Sequence, residues 1–433
     1  MRGAAVLTLV AGLAACGDDP PATGSFELVG HTDLGARGMN SALALSGNTA
    51  YVGSRIDSKP IEIVDISDPA NPTVVGEIGA SLMEALPAMS SRELRVAGST
   101  LVVMNLQCSP DLHGCATSGG EGENLRFFDI SDPVNPTVLA TYPVHGSLIN
   151  PRGPHELFVW HDPVDAARVL IYLTAPGVPS LEIIDVATAT KLVSWDPFAQ
   201  GGVPKGGENN ILHSIAVSDD GKTAYLSHQT SGLFLADVSA LPTITMLTPA
   251  ANATKFGAMG PHSAVPVPGR PLLVTTEEVY PPPFGAGCPW GHLRMIDVKD
   301  PTQPTLLGEY KLPENDPACT ADAPMTSFTA HNATVTHDLA LVTWYAGGLQ
   351  AVDISDAANP TQLAEFRPEP LAQVAVEDPG LGGNHVEMWS YPIIKDGLIY
   401  VVDVRNGLYV LRYTGTHAAQ VSDTSFAEGN SNL

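Results

Sequence analysis

Five histidines stand where a β-strand is about to begin: His155 in "PHELFVW", His213 in "LHSIAVS", His262 in "PHSAVPV", His331 in "AHNATVT" and His385 in "NHVEMWS". Histidine is the commonest transition-metal ligand, and several neutral imidazoles gathered at one place suit copper, iron or zinc better than magnesium or calcium. Carboxylates lie close by in sequence. Glu156 follows His155, Glu387 lies two residues after His385, and Glu277 and Glu278 close a predicted second strand whose counterpart one repeat earlier ends at His228. Glu93, beside Arg92, is a weaker candidate of the same kind. Each could be a ligand, or could fix an imidazole tautomer from behind. The histidines are far apart in the chain, so they act together only if the fold brings strand starts together.

The repeat supplies that. "IEIVDISDPANPTVVGEI", "LRFFDISDPVNPTVLATY", "LEIIDVATATKLVSW", "LFLADVSALPTITML", "LRMIDVKDPTQPTLLGEY" and "LQAVDISDAANPTQLAEF" align on Asp65, Asp129, Asp185, Asp237, Asp297 and Asp353, with successive anchors 52 to 64 residues apart. Four short β-patterned runs per unit at this period are the signature of a propeller blade. A seventh unit, "HVEMWSYPIIKDGLIYVVDVRNGLYVLRY", has three strands and stops; "SFELVGHTDL" at the other end of the chain matches the missing fourth. The expected fold is therefore all-β: a seven-bladed β-propeller over residues 25–415, closed by an N-terminal strand in the last blade, with residues 416–433 as a disordered tail. Closure of this kind removes free strand edges. The inner strand of every blade then starts at one mouth of the central channel, with Asn40 and Arg92 at the matching positions of the first two blades. The long insertions between strands fall on this same face, where function is expected to sit.

The third strand "IEIVDISDP" resembles the LVIVD-repeat family, over essentially the whole chain after its N-terminal segment. That resemblance implies the propeller fold and a bacterial or archaeal cell-surface or periplasmic setting, and says little about activity. More distantly, the architecture is similar to selenium-binding proteins and methanethiol oxidases, which place inner-strand histidines and a metal at the axis, and to carotenoid oxygenases, which hold iron with one histidine from each of four blades. The paired histidine of the selenium-binding "PHxxH" type is absent. In WD-repeat propellers a recurring histidine belongs instead to a hydrogen-bond network inside its own blade, and that alternative applies here too, although no Trp-Asp pair accompanies these histidines.

Residues 1–15, "MRGAAVLTLVAGLAA", have the short basic start and apolar stretch of a secretory signal, too short to span a bilayer. "LAAC" resembles the lipobox of bacterial lipoproteins, which implies diacylation of Cys16, with residues 16–24 as a tether and an outer-membrane or cell-surface location. Four cysteines remain, Cys108, Cys115, Cys288 and Cys319, an even number that outside the cytoplasm suggests two disulfides. Pairing 108 with 115 closes a short loop and 288 with 319 joins two loops; other pairings stay open.

Composition agrees with the class. The chain of 433 residues has 44% hydrophobic and 15% charged residues with 41 Gly and 37 Pro, a mix of short strands and tight turns. With 46 acidic against 21 basic side chains its formal charge is -25, which excludes a nucleic-acid partner. "GVPKGGENN" lacks a phosphate-loop ending and no G-x-S-x-G elbow occurs. Two function classes follow: a tethered metalloprotein with oxidoreductase chemistry within its reach, and a non-enzymatic propeller whose loop face binds a protein, peptide, glycan or small molecule.

Overall fold

The computed structural model describes residues 23–433 except 57–59, 80–88, 108–123, 145–153, 176–179, 205–209, 258, 283–284, 286, 316–325 and 381–384. The signal segment, Cys16, Cys108, Cys115, Cys319 and much of the long-loop face lie outside the described residues, so the expected lipidation and both expected disulfides do as well.

The described strands form seven antiparallel sheets, six of them built from four consecutive strands and the seventh from strands of both chain ends. The first blade runs Asn40–Ser46, Thr49–Ser54, Ile61–Asp65 and Thr73–Ile78 from the axis outward. Inner strands of the third to sixth blades are Glu156–His161, Leu212–Val217, Ser263–Pro266 and Ala333–Val335. Both faces of each blade are apolar because each packs on a neighbour. Between the third and fourth blades, for example, Phe158, Trp160, Tyr172 and Trp195 meet Ile215, Tyr225 and Phe234 in one buried cluster. Burial on both faces is why clean alternation is missing from the sequence.

The recurring Asp has a local job. Its Oδ1 accepts the backbone N–H two residues on at Asp65, Asp129, Asp237, Asp297 and Asp353, and three on at Asp185, in every case at 2.8 Å. These side-chain turns end the third strand and reverse the chain with no tertiary help. The repeat signature is thus turn chemistry, remote from the axis.

The ring closes as expected: Gly24–Thr32 lies antiparallel to Gly407–Gly415 as the outer strand of the seventh blade. The expectation of a disordered tail is wrong. After Gly415 the chain forms a helical turn, Ala418–Ser422, and Phe426–Ala427 then adds to the channel side of Ile393–Lys395. It goes on into the channel, where Val159 N–H donates to the Asn430 carbonyl at 3.0 Å and Asn432 exchanges two hydrogen bonds with the backbone of His161 at 2.6 and 2.9 Å. A Cβ at position 429 would lie 1.8 Å from the Ala333 carbonyl oxygen, so only glycine passes there. The tail is held by the Asn430 carbonyl and the Asn432 side chain, while the side-chain amide of Asn430 is buried without a partner among the described residues. It lines a cavity of about 450 Å³ with Val217, Val265 and Val335, the far ends of the inner strands.

Candidate metal centre

Backbone and hydroxyl groups set the histidine arc before any imidazole is considered. The N–H of His155, His262 and His331 donates to the carbonyl of the threonine ending the second strand of the same blade, Thr174, Thr276 and Thr343, at 2.7 to 2.9 Å. The carbonyls of His213, His262 and His331 are then held from the preceding blade: Thr174 Oγ1 donates to His213 O at 2.7 Å, Ser214 Oγ to His262 O at 2.5 Å, and Thr276 Oγ1 to His331 O. The blades are stitched together here by hydroxyls. The imidazoles are left free of that task, unlike the in-blade network of WD-type repeats.

The four rings form a continuous arc, with successive centroids 4.0, 4.1 and 4.2 Å apart from His155 through His213 and His262 to His331. His155 Nε2 and His213 Nε2 approach to 2.6 Å. Glu278, reaching in beyond the second strand of the fifth blade, faces the arc: His331 Nε2 lies 3.2 Å from its Oε1, and His262 Nε2 and His213 Nε2 lie 3.6 and 3.8 Å from its Oε2. Tyr345 donates its hydroxyl to Oε1, and Tyr280 lies 3.1 Å from the Tyr345 oxygen. His213, His262, His331 and Glu278 are all buried.

The electron count of this centre is its chemical content. A carbonyl only accepts, so the contact between His331 Nδ1 and the Trp389 carbonyl fixes a proton on Nδ1. Nε2 therefore meets the Glu278 carboxylate with a lone pair unless a cation stands between them or a second proton is bound. Burial, and then the neighbouring imidazole, pushes His213 and His262 well below the usual histidine range, so both are neutral at pH 7. Burial pushes Glu278 up, but the surrounding histidines outweigh it and hold the carboxylate well below its ordinary value. Neutral imidazoles and an ionised carboxylate, converging in a buried site, have the ligand atoms to hold a metal ion. His213, His262 and Glu278 form the tightest group, with one ligand atom of each within 4.8 Å of the others.

Other expected residues go elsewhere. His385 lies eight residues ahead of its inner strand, where His155 and His262 lie one ahead, and it sits beside Asp378, Glu387 and Arg405. The blade-seven end of the arc is occupied by the Trp389 backbone, whose carbonyl also accepts from Asn332 Nδ2 at 2.9 Å. Glu387 is buried against Arg55 at 3.2 Å. Glu277 turns away from the arc to Arg294, 2.8 Å off. His228 fails for the same reason: Ser214 pairs with Ser227 as Ser263 pairs with Thr276, so His228 matches Glu277 and not Glu278. Glu156 does point into the channel, but deeper, toward Glu93 and Arg95. The sequence reading missed Tyr345 and the Trp389 carbonyl, for which no repeat signal exists.

His228 instead sits edge-on to Phe198 and Phe234, with neither ring nitrogen hydrogen-bonded among the described residues. Burial lowers it to about 4. The unfolded chain binds this proton below about 6.5 and the folded one only below about 4, so stability falls as pH drops through that window, by roughly 3 kcal/mol in all. His228→Leu should therefore gain roughly that much on wild type between pH 7 and pH 4 in urea unfolding. A stability difference that does not change with pH would contradict this.

Comparison with known proteins agrees with the fold. The LVIVD repeat profile matches residues 37–79 and 288–311, so LVIVD repeats are present within this seven-bladed β-propeller. The matched stretches hold the strand ends at Asp65 and Asp297. Among solved structures it is similar to Chaetomium thermophilum Sqt1 bound to the N-terminus of a ribosomal protein, with 14% identity, 88% of this chain and 98% of that chain covered, and a TM-score of 0.52. A putative 6-phosphogluconolactonase from Bacteroides fragilis aligns at 13% identity over 75% of this chain and 82% of that one, with a TM-score of 0.49. At such identities the likeness concerns the fold alone. No curated protein matches the chain.

Proposed function

We propose that this propeller is a metalloprotein whose channel mouth holds one transition-metal ion, copper, iron or zinc, through His213, His262 and Glu278, with His155 and His331 flanking. The observation that carries the reading is the convergence of one ligand atom each from His213, His262 and Glu278, all buried, within 4.8 Å of one another. Two imidazoles and one carboxylate leave coordination positions open, a set that suits iron as well as zinc, and with iron it would support an oxidoreductase role. In such a role Tyr345 would hold the carboxylate, and the Trp389 carbonyl would keep the His331 ring oriented. "LAAC" supports a lipid anchor on Cys16 and an extracytoplasmic, membrane-attached location, in which two disulfides could staple the loops around the mouth. A Cys16→Ser protein that no longer takes up labelled fatty acid supports the anchor, and one that is still labelled opposes it.

The test of function is elemental analysis of the purified protein. One equivalent of copper, iron or zinc per chain is expected. A metal-free protein that takes up none on titration would favour a propeller that grips a protein, peptide or glycan with its loops.

A further inference from the structure

Arg92 lies in the inner strand of the second blade, Met89–Ala97, at a register shift between Ser91 and Glu93 like the one that holds His213 between Leu212 and Ser214. It is partly exposed, and its guanidinium carbon lies 5.6 Å from the centre of the Trp389 ring. The carbonyl of that same tryptophan orients His331, and the two rings meet edge to face at 5.5 Å. Arg92 is therefore fixed to the frame of the metal centre.

Arg92 has no carboxylate partner among the described residues. Arginines nearby do. Arg55 meets Asp378 and Glu387, Arg95 meets Glu93, and Arg294 meets Glu277. In a chain with 46 acidic residues against 21 basic ones, a guanidinium with no carboxylate partner among the described residues stands out. Trp389 Nε1, buried in the same place, also lacks an acceptor among the described residues. Two donors are thus left open beside a centre whose own charge, with a divalent metal and one carboxylate, is positive.

We propose that Arg92 is the specificity-determining residue for an anionic ligand, a small carboxylate or similar oxyanion, that binds at the open side of the metal and is clamped by the guanidinium. Arginine presents a planar fork of donors that matches a carboxylate through two parallel hydrogen bonds, which a lysine cannot reproduce. The inference rests on the metal reading and names the ligand class of that site.

The test loads wild-type, Arg92→Gln and Arg92→Lys proteins with copper(II), checks metal content by elemental analysis, and titrates each with formate at constant ionic strength while following the copper absorption band. Acetamide, which has no charge, is the control. Expected is equal copper content in the three proteins, formate binding weakened about tenfold or more in Arg92→Gln and partly restored in Arg92→Lys, and little response to acetamide. Copper bound equally with the same formate affinity in wild type and Arg92→Gln, or with no formate binding to wild type, overturns this inference and leaves the metal reading standing. A wild-type protein that retains no copper, and takes up neither iron nor zinc in the same loading, overturns both.

Discussion

Replacing His213 and His262 together by alanine should abolish stoichiometric metal binding while the propeller stays folded. The two rings lie in the middle of the arc, 4.1 Å apart, and both supply atoms of the tightest ligand group. Loss of an outer partner of a metal ligand costs about 10- to 100-fold in affinity, and loss of two ligands should exceed that by a wide margin. The fold should survive because the strand starts are held through backbone carbonyls by Thr174, Ser214 and Thr276 hydroxyls, none of which depends on an imidazole. Neither Nδ1 has a hydrogen-bond partner among the described residues; truncation removes the His155 contact, but Glu278 keeps Tyr345 and His331. Metal-free wild type and metal-free double variant should then melt within a few degrees of each other, and added metal should stabilise wild type alone by mass action. Had the histidines served networks inside their own blades, the double variant would lose stability at both sites, nearly additively, with no change in metal.

Arg95→Met should be the most damaging single substitution below the histidines. Arg95 is fully buried in the channel, 2.9 Å from Glu93, with its guanidinium carbon 5.4 Å from the centre of the Tyr391 ring. Glu156 and, from the C-terminal segment, Glu428 add two more buried carboxyls around it. Burial raises both, Glu156 well above its usual range, with Glu93 adding to the rise and Arg95 opposing it. Removing the cation from such a group costs about 3–5 kcal/mol. The sign of its pH dependence follows. A carboxyl whose folded pKa lies above its unfolded value keeps its proton in the fold while the unfolded chain ionises, so stability falls as pH rises from about 4.5 through the folded value. Without Arg95 both carboxyls rise further. Urea unfolding should therefore show a larger loss for the variant at pH 8 than at pH 5, partly recovered by adding Glu428→Gln. An equal loss at the two pH values would contradict the charge argument.

The parts of the molecule legible in the sequence are those written once per repeat. The Asp turns, the blade count and the closing strand Gly24–Thr32 all repeat a local rule, and so do the four histidines that lie within two residues of the start of an inner strand. Residues that depend on parity or on insertion length were misplaced. His228 and Glu277 are one residue short of the inward-facing position that Glu278 fills, and neighbouring residues point to opposite sides. His385 is separated from its strand by residues that include Trp389, and nothing in "NHVEMWS" says where the strand starts. The tail "FAEGNSNL" reads as polar and unstructured because its partners, the Val159 and His161 backbone and Arg95, belong to other blades. Tyr345 was invisible for the same reason: its hydroxyl meets a carboxylate 67 residues away.

Anomalous diffraction from crystals of the metal-loaded protein, collected on both sides of the metal absorption edge, tests the central claim most directly. One peak is expected at the mouth of the channel, about 2.0–2.2 Å from His213 Nε2, His262 Nε2 and a Glu278 carboxylate oxygen. A stoichiometrically loaded crystal with its peak elsewhere, or with none at this arc, would contradict the account.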